Sequence, residues 1–205
     1  MEKLTYVTHN EGKYYSVKNT FLEEGIAVSF FNYDFHEPEI NDIEIVSKAK
    51  AMEAYEILKS PCFVVDNGFC IDDYPNHPGF PGAFVNRSGI AEDIEGLLET
   101  MKEVKNRSCR FVGCLTFYDG EYFKTFFEVS EGTLSYEIRG EKKKCQKSNI
   151  WRVFIPKNSM KTLVEMSEEE RKNRRDGHTS APKQFAKWYK EEYLNQQSLT
   201  KRKQS

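Results

Sequence analysis

Short apolar runs alternate along the chain with stretches whose apolar residues recur every three or four positions, and polar turns separate the two. The run Lys3-Leu4-Thr5-Tyr6-Val7-Thr8 predicts a strand. It passes directly into the polar turn His9-Asn10-Glu11-Gly12-Lys13 and then a helical stretch through Glu24. A second strand, Ala27 to Asn32, follows Gly25. Next comes the acidic loop Asp34-Phe35-His36-Glu37-Pro38-Glu39, where Pro38 forbids a regular continuation. From Ile43 to Leu58 the positions Ile43, Val46, Ala49, Ala51, Ala54, Ile57 and Leu58 follow the helical spacing, and Pro61 closes the element. Lys48 and Lys50 lie on this helix, and the pattern alone places both toward solvent. The run Cys62-Phe63-Val64-Val65 then reads as a buried strand ending in Asp66-Asn67-Gly68, so that an acidic side chain is delivered to its C-terminal end. In open α/β sheets ligands sit at that end of a strand.

The second half changes character. Asp73 to Gly82 contains three prolines and two glycines and reads as a stiff loop, followed by a helix from Ile90 to Val104. Three successive antiparallel strands are expected over Arg110–Tyr118, Phe123–Val129 and Thr133–Ile138, with Asp119-Gly120 turning between the first two. After Gly140 a basic insertion, Glu141 to Lys147, leads to a strand-like piece from Trp151 to Pro156. Helices near Ser167 to Arg175 and Pro182 to Asn195 complete a single α/β domain over residues 1–195, and residues 196–205 form a polar, basic tail.

With 205 residues the chain has enough length for one core and little for two. A net charge of −2 gives no electrostatic case for nucleic acid, and Lys142-Lys143-Lys144 and Lys201-Arg202-Lys203 read as short solvated charge runs. No apolar run has the length of a membrane span, and the N-terminus lacks the basic-then-apolar order of a signal peptide, so a cytoplasmic protein is expected. The five cysteines, Cys62, Cys70, Cys109, Cys114 and Cys145, contain no CxxC pair and are read as free thiols in a reducing compartment.

Two groups of residues point to chemistry. Thr8, Asn10, Gly12 and Lys13 occupy a strand-to-helix turn, where unpaired backbone N–H groups and the helix dipole favour an anion; an ordinary capped helix is the competing explanation. Glu37 and Glu39 flank Pro38, and Asp66 leaves a buried strand. Carboxylates from separate elements suit Mg²⁺, which takes oxygen ligands and retains several waters. A loop glutamate by itself is usually just solvated, whereas a carboxylate on an apolar strand is costly to bury without a partner.

In their order these segments resemble the inosine/xanthosine triphosphate pyrophosphatases along nearly the whole chain. Thr8-His9-Asn10-Glu11-Gly12-Lys13 is similar to the family's Thr-Gly-Asn-x-Gly-Lys turn, with His9 at a glycine position. Lys50-Ala51, with Asp66 sixteen residues beyond the lysine, resembles the family's helix lysine and catalytic aspartate. Pro78-Gly79-Phe80-Pro81-Gly82, Phe154-Ile155-Pro156 and Lys161-Thr162-Leu163-Val164-Glu165-Met166-Ser167 match three further stretches.

The resemblance implies an elongated mixed central sheet with flanking helices, in two lobes around a central nucleotide cleft, and a homodimer. It also implies Mg²⁺ held by Glu39 and Asp66, with Glu37 as the alternative to Glu39, and Asp66 beside the attacking water. Thr8, Asn10, Lys13 and Lys50 would bind phosphate. The chain departs from the family at Val65, where a second acid is usual, and at Ser16. It departs again at Ser148-Asn149-Ile150-Trp151-Arg152, which stands where the family reads its base. Trp151, Arg171 and His178 are the base-binding candidates, although a tryptophan in an apolar strand is more often core. The expected activity is hydrolysis of a nucleoside triphosphate to monophosphate and pyrophosphate, with an unusual base. A weak or inactive nucleotide-binding relative, acting as sensor or scaffold, is the alternative.

Overall fold

The computed structural model describes residues 4–36, 38–141, 148–174 and 180–196. Its centre is a seven-stranded mixed sheet in the order β2-β1-β3-β5-β6-β7, with β4 pairing β3 off this path. The strands are β1 (Thr5–Val7), β2 (Ser29–Phe31), β3 (Cys62–Ile71), β4 (Pro81–Gly82), β5 (Ser108–Tyr118), β6 (Phe123–Leu134) and β7 (Phe154–Pro156). The helices are α1 (Glu11–Glu23), α2 (Ile43–Leu58), α3 (Ile94–Thr100), α4 (Glu168–Asn173) and α5 (Ala181–Trp188). Strand β1 is parallel to both β2 and β3, and every other pairing is antiparallel. This is the mixed α/β sheet with flanking helices expected from the sequence.

The two largest core clusters lie toward opposite ends of β3 and β5. Phe63 and Phe117 belong to the cluster built with Phe21, Phe185 and Trp188 under α1 and α5. Phe69, Ile71 and Cys109 belong to the other, with Leu97, Met101 and Phe154. Successive side chains of a strand point to opposite faces. Val64 accordingly packs with Ala51 and Ala54 of α2 in a third, smaller cluster. Between the two ends, the middle of β3 carries Asp66, Asn67 and Gly68 in place of large apolar side chains.

Several expectations are corrected. Strand β3 does not stop at Asp66 but continues to Ile71, because β5 pairs with it over its whole length, Asp66 opposite Cys114. Asp66 therefore sits mid-strand, beyond the last residue paired with β1, Phe63. The two strands expected over Phe123–Val129 and Thr133–Ile138 are one, β6, which pairs continuously with β5. At Gly132 within it a Cβ would lie 2.5 Å from both the Ile155 carbonyl oxygen and the Phe154 ring, so the glycine admits β7. Trp151 is in a short 3-10 turn, Asn149–Arg152, not a strand. The regular part of the helix expected over Ile90–Val104 is confined to α3, and Pro81-Gly82 forms β4 within the expected loop. Lys48 is half-buried, its ammonium on Glu44, whereas Lys50 is only 6% exposed and Asp66 holds its ammonium.

The close approach at Gly132 generates a test. Gly132→Ala must displace backbone, so it is expected to lower unfolding stability by about 1–3 kcal/mol, measurable as a shifted urea midpoint with an unchanged slope.

Candidate active site

The turn after β1 is held by its own side chains. The Thr8 amide donates to the Phe31 carbonyl at 3.1 Å, which ties the end of β1 to β2. The Asn10 amide donates to Thr8 Oγ1 at 3.1 Å, and Asn10 Oδ1 caps α1 by accepting from the Lys13 amide at 2.9 Å. With Oδ1 engaged, Asn10 offers an anion its Nδ2 hydrogens, beside the first turn of α1. Gly12 keeps the turn tight, since a Cβ there would come within 3.3 Å of Asn10 Oδ1. Thr8 is buried, Lys13 half-buried and Asn10 exposed.

Asp66 and Lys50 form the second half of the site. Lys50 Nζ lies 2.8 Å from Asp66 Oδ1, with side-chain exposures of 8% and 15%. Residue 50 is brought inward because α2 lays Val46, Ser47, Lys50, Ala51 and Ala54 along its buried side. Behind the pair, Ser47 Oγ donates to Thr116 Oγ1 at 2.8 Å, fixing α2 to β5. The Cys114 thiol, opposite Asp66, is pushed up to about 11 by burial, which outweighs the lowering by the neighbouring Ser47 and Thr116 hydroxyls, and stays protonated. Burial also drives the Tyr6 phenol well above its ordinary range; the Thr8 hydroxyl pulls it down and the Asp66 carboxylate adds to the rise.

Asp66 Oδ2 is the informative atom: it is buried and accepts no hydrogen bond. A carboxylate oxygen with unmet lone pairs in a buried position fits a hard divalent cation, which takes oxygen ligands. Among the described residues, no three His, Cys, Asp or Glu side chains cluster to form a complete protein cage. That is compatible with an ion such as Mg²⁺, which is commonly bound by one or two carboxylates plus waters and substrate phosphate. Glu39 is exposed, in a segment pinned on both sides: Arg87 donates to the Pro38 carbonyl and the Ala83 amide to Asn41 Oδ1, each at 2.8 Å. Glu37 lies outside the described residues.

The turn and the carboxylate are connected through the loop after β2. His9 Nδ1 is 3.2 Å from Asp34 Oδ1, and the Lys50 ammonium lies 5.9 Å from the centre of the Phe35 ring. Tyr33 Oη donates to Glu53 Oε1 at 2.6 Å and fastens the same loop to α2. Sequence reasoning singled out none of Tyr33, Asp34 and Phe35, because a loop aromatic or aspartate carries no spacing signal. Of the base-binding candidates, Trp151 and Arg171 are together, the guanidinium 5.6 Å from the indole centre. Arg171 also donates to the Leu163 and Met166 carbonyls. His178 lies outside the described residues, as do Lys142–Lys144, Cys145 and residues 197–205 of the tail. The four described cysteines are free thiols.

Fold and site together define an α/β protein with a side-chain-capped strand-to-helix turn and a lysine-paired, largely buried carboxylate. The chain belongs to the Ham1 family, whose profile matches residues 4–188. It is 32% identical to a dITP/XTP pyrophosphatase of Saccharolobus solfataricus, over 91% of this chain and 93% of that protein. It is 26% identical to a dITP/XTP pyrophosphatase of Thermococcus kodakarensis, over 92% and 98% respectively. A HAM1 protein from Coxiella burnetii has the same fold, with TM-score 0.78 and 19% identity, covering 93% of this chain and all of that one. No described helix is long and apolar enough to cross a membrane.

Removing the cation isolates the ion pair's contribution. Lys50→Met leaves Asp66 buried and unpaired and is expected to cost about 3–5 kcal/mol at neutral pH. Chemical denaturation of Lys50→Met and of the double variant Lys50→Met/Asp66→Asn measures this. The double variant should recover much of the loss, and equal stabilities would show that the pair is not coupled.

Proposed function

We propose that this chain is a Mg²⁺-dependent nucleoside triphosphate pyrophosphatase, releasing a nucleoside monophosphate and pyrophosphate, and that its base preference differs from the inosine and xanthosine of its relatives. The observation that carries the reading is the buried Asp66 carboxylate, with one oxygen on Lys50 and the other unpartnered. Asp66 and Glu39 would hold the Mg²⁺. When bound, the ion neutralises phosphate charge and acidifies coordinated water.

The chain's own groups do the positioning. Asn10 Nδ2, the backbone at the start of α1 and Lys13 bind phosphate oxygens. The Thr8 hydroxyl holds the turn in shape, and the Lys50 ammonium orients Asp66 while adding positive charge. Asp66 directs a water in line with the α-phosphorus and takes its proton. The β-phosphate oxygen leaves with the pyrophosphate, so the step requires no covalent intermediate. Trp151, Arg171 and His178 are proposed to receive the base, with the Arg171–Trp151 contact as the described part of that platform. A homodimer and a cytoplasmic location complete the proposal; the free cysteines are consistent with the latter.

The departure at Val65 favours an active enzyme over a silent sensor. Val65 packs against the aromatic cluster around Phe63 and Phe185, whereas the neighbouring Asp66 meets α2. The apolar residue therefore serves the core on the opposite face of β3 and takes nothing from the Lys50–Asp66 pair.

A panel of natural and base-modified nucleoside triphosphates, assayed for pyrophosphate release with Mg²⁺, tests the reaction. At least one substrate should turn over, with activity lost on chelation, and Asp66→Asn should reduce kcat by about 100-fold or more. Near-full activity in Asp66→Asn would remove the assigned role. Nucleotide binding without turnover across the panel would favour the sensor. Trp151→Ala is expected to raise KM about tenfold for the best substrate while leaving affinity for inorganic pyrophosphate unaltered.

A further inference from the structure

His9 stands within the phosphate turn, between Thr8, which ends β1, and Asn10, which caps α1. Its partner Asp34 follows β2, so the two meet above the carboxyl ends of neighbouring parallel strands, where open α/β sheets bind ligands. The side chains are 63% and 86% exposed. A contact this open adds little to stability. What it supplies is orientation: Asp34 holds Nδ1, and Nε2 is the ring nitrogen left to meet a ligand.

The charges around the turn call for such a group. A nucleoside triphosphate brings several negative charges, and the Lys50 ammonium already shares its charge with Asp66 at 2.8 Å. Lys13, on the first turn of α1, and His9, whose Nδ1 faces the Asp34 carboxylate, are the basic side chains the turn itself provides.

We propose that His9, oriented by Asp34, contacts the distal phosphates of the substrate and sets the enzyme's preference for a long polyphosphate chain. Asp34 is then a positioning residue acting through His9. The inference deepens the pyrophosphatase reading and rests on it for the identity of the substrate, although the anion contact can be measured independently of turnover.

The full-length chain is titrated calorimetrically, with Mg²⁺ present, with inorganic tripolyphosphate and separately with a nucleoside monophosphate. His9→Ala should weaken tripolyphosphate binding about tenfold, as expected for loss of a charge-assisted hydrogen bond, and leave the monophosphate within about twofold. His9→Lys should restore most of the affinity, and Asp34→Asn should give an intermediate loss. In steady state the His9→Ala defect should fall on KM for triphosphates and be smaller for the matching diphosphate. Unchanged tripolyphosphate affinity in a folded His9→Ala protein overturns the proposal, as does an equal loss for monophosphate. A wild-type protein that hydrolyses no triphosphate, yet loses tripolyphosphate affinity on His9→Ala, would refute the reaction proposed above and uphold the His9 contact.

Discussion

The buried ion pair between Lys50 of α2 and Asp66 of β3 is the constraint around which the structure is arranged. An ammonium and a carboxylate withdrawn from water are tolerable only when held close and correctly oriented. The surroundings meet that demand from several directions. Ala51 and Ala54 let α2 lie close to the sheet, the Ser47–Thr116 hydrogen bond fixes its lengthwise position, and Phe35 covers the ammonium. Because β5 pairs with β3 continuously through Asp66, the carboxylate has little freedom to retreat.

From that pair the geometry extends to the capped turn after β1. Strand β1 runs beside β3, and its continuation places Thr8, Asn10 and the start of α1 at the parallel strand ends near Asp66. The loop after β2 spans the same region, engaging the turn through Asp34 and α2 through Tyr33 and Phe35. The two larger core clusters at the ends of β3 and β5 provide rigidity and leave the strand middles free of bulky side chains. The arrangement follows the general requirement that reacting groups be placed on stiff elements and supported from behind.

Much of the site was legible because its residues lie in short local patterns. Asn10 to Lys13 announces a capped strand-to-helix turn, and an aspartate in an apolar run demands an explanation on desolvation grounds alone. Other features were illegible for equally physical reasons. Lys50 and Lys48 are chemically alike and two residues apart, and only the contact of α2 with β3 decides which one is buried. Gly132 carries no local signal, and only the passage of β7 against it explains the missing side chain. Trp151 looked like a strand residue because its neighbours are apolar, but those neighbours turn into the core one by one.

The sequence by itself determined the α/β class, the β1–α1–β2–α2–β3 order of the first half, the ends of α2, the capped turn and the identity of Asp66 as an acid in apolar surroundings. Each of these depends on residues near one another in the chain, through helical spacing, capping or the cost of burying charge. Tertiary structure alone decided that Asp66 lies mid-strand, that it shares Lys50, that Asp34 holds His9 and that Arg171 covers Trp151. Those partners are distant in sequence, and no local periodicity encodes which of several similar side chains will meet once the sheet is assembled.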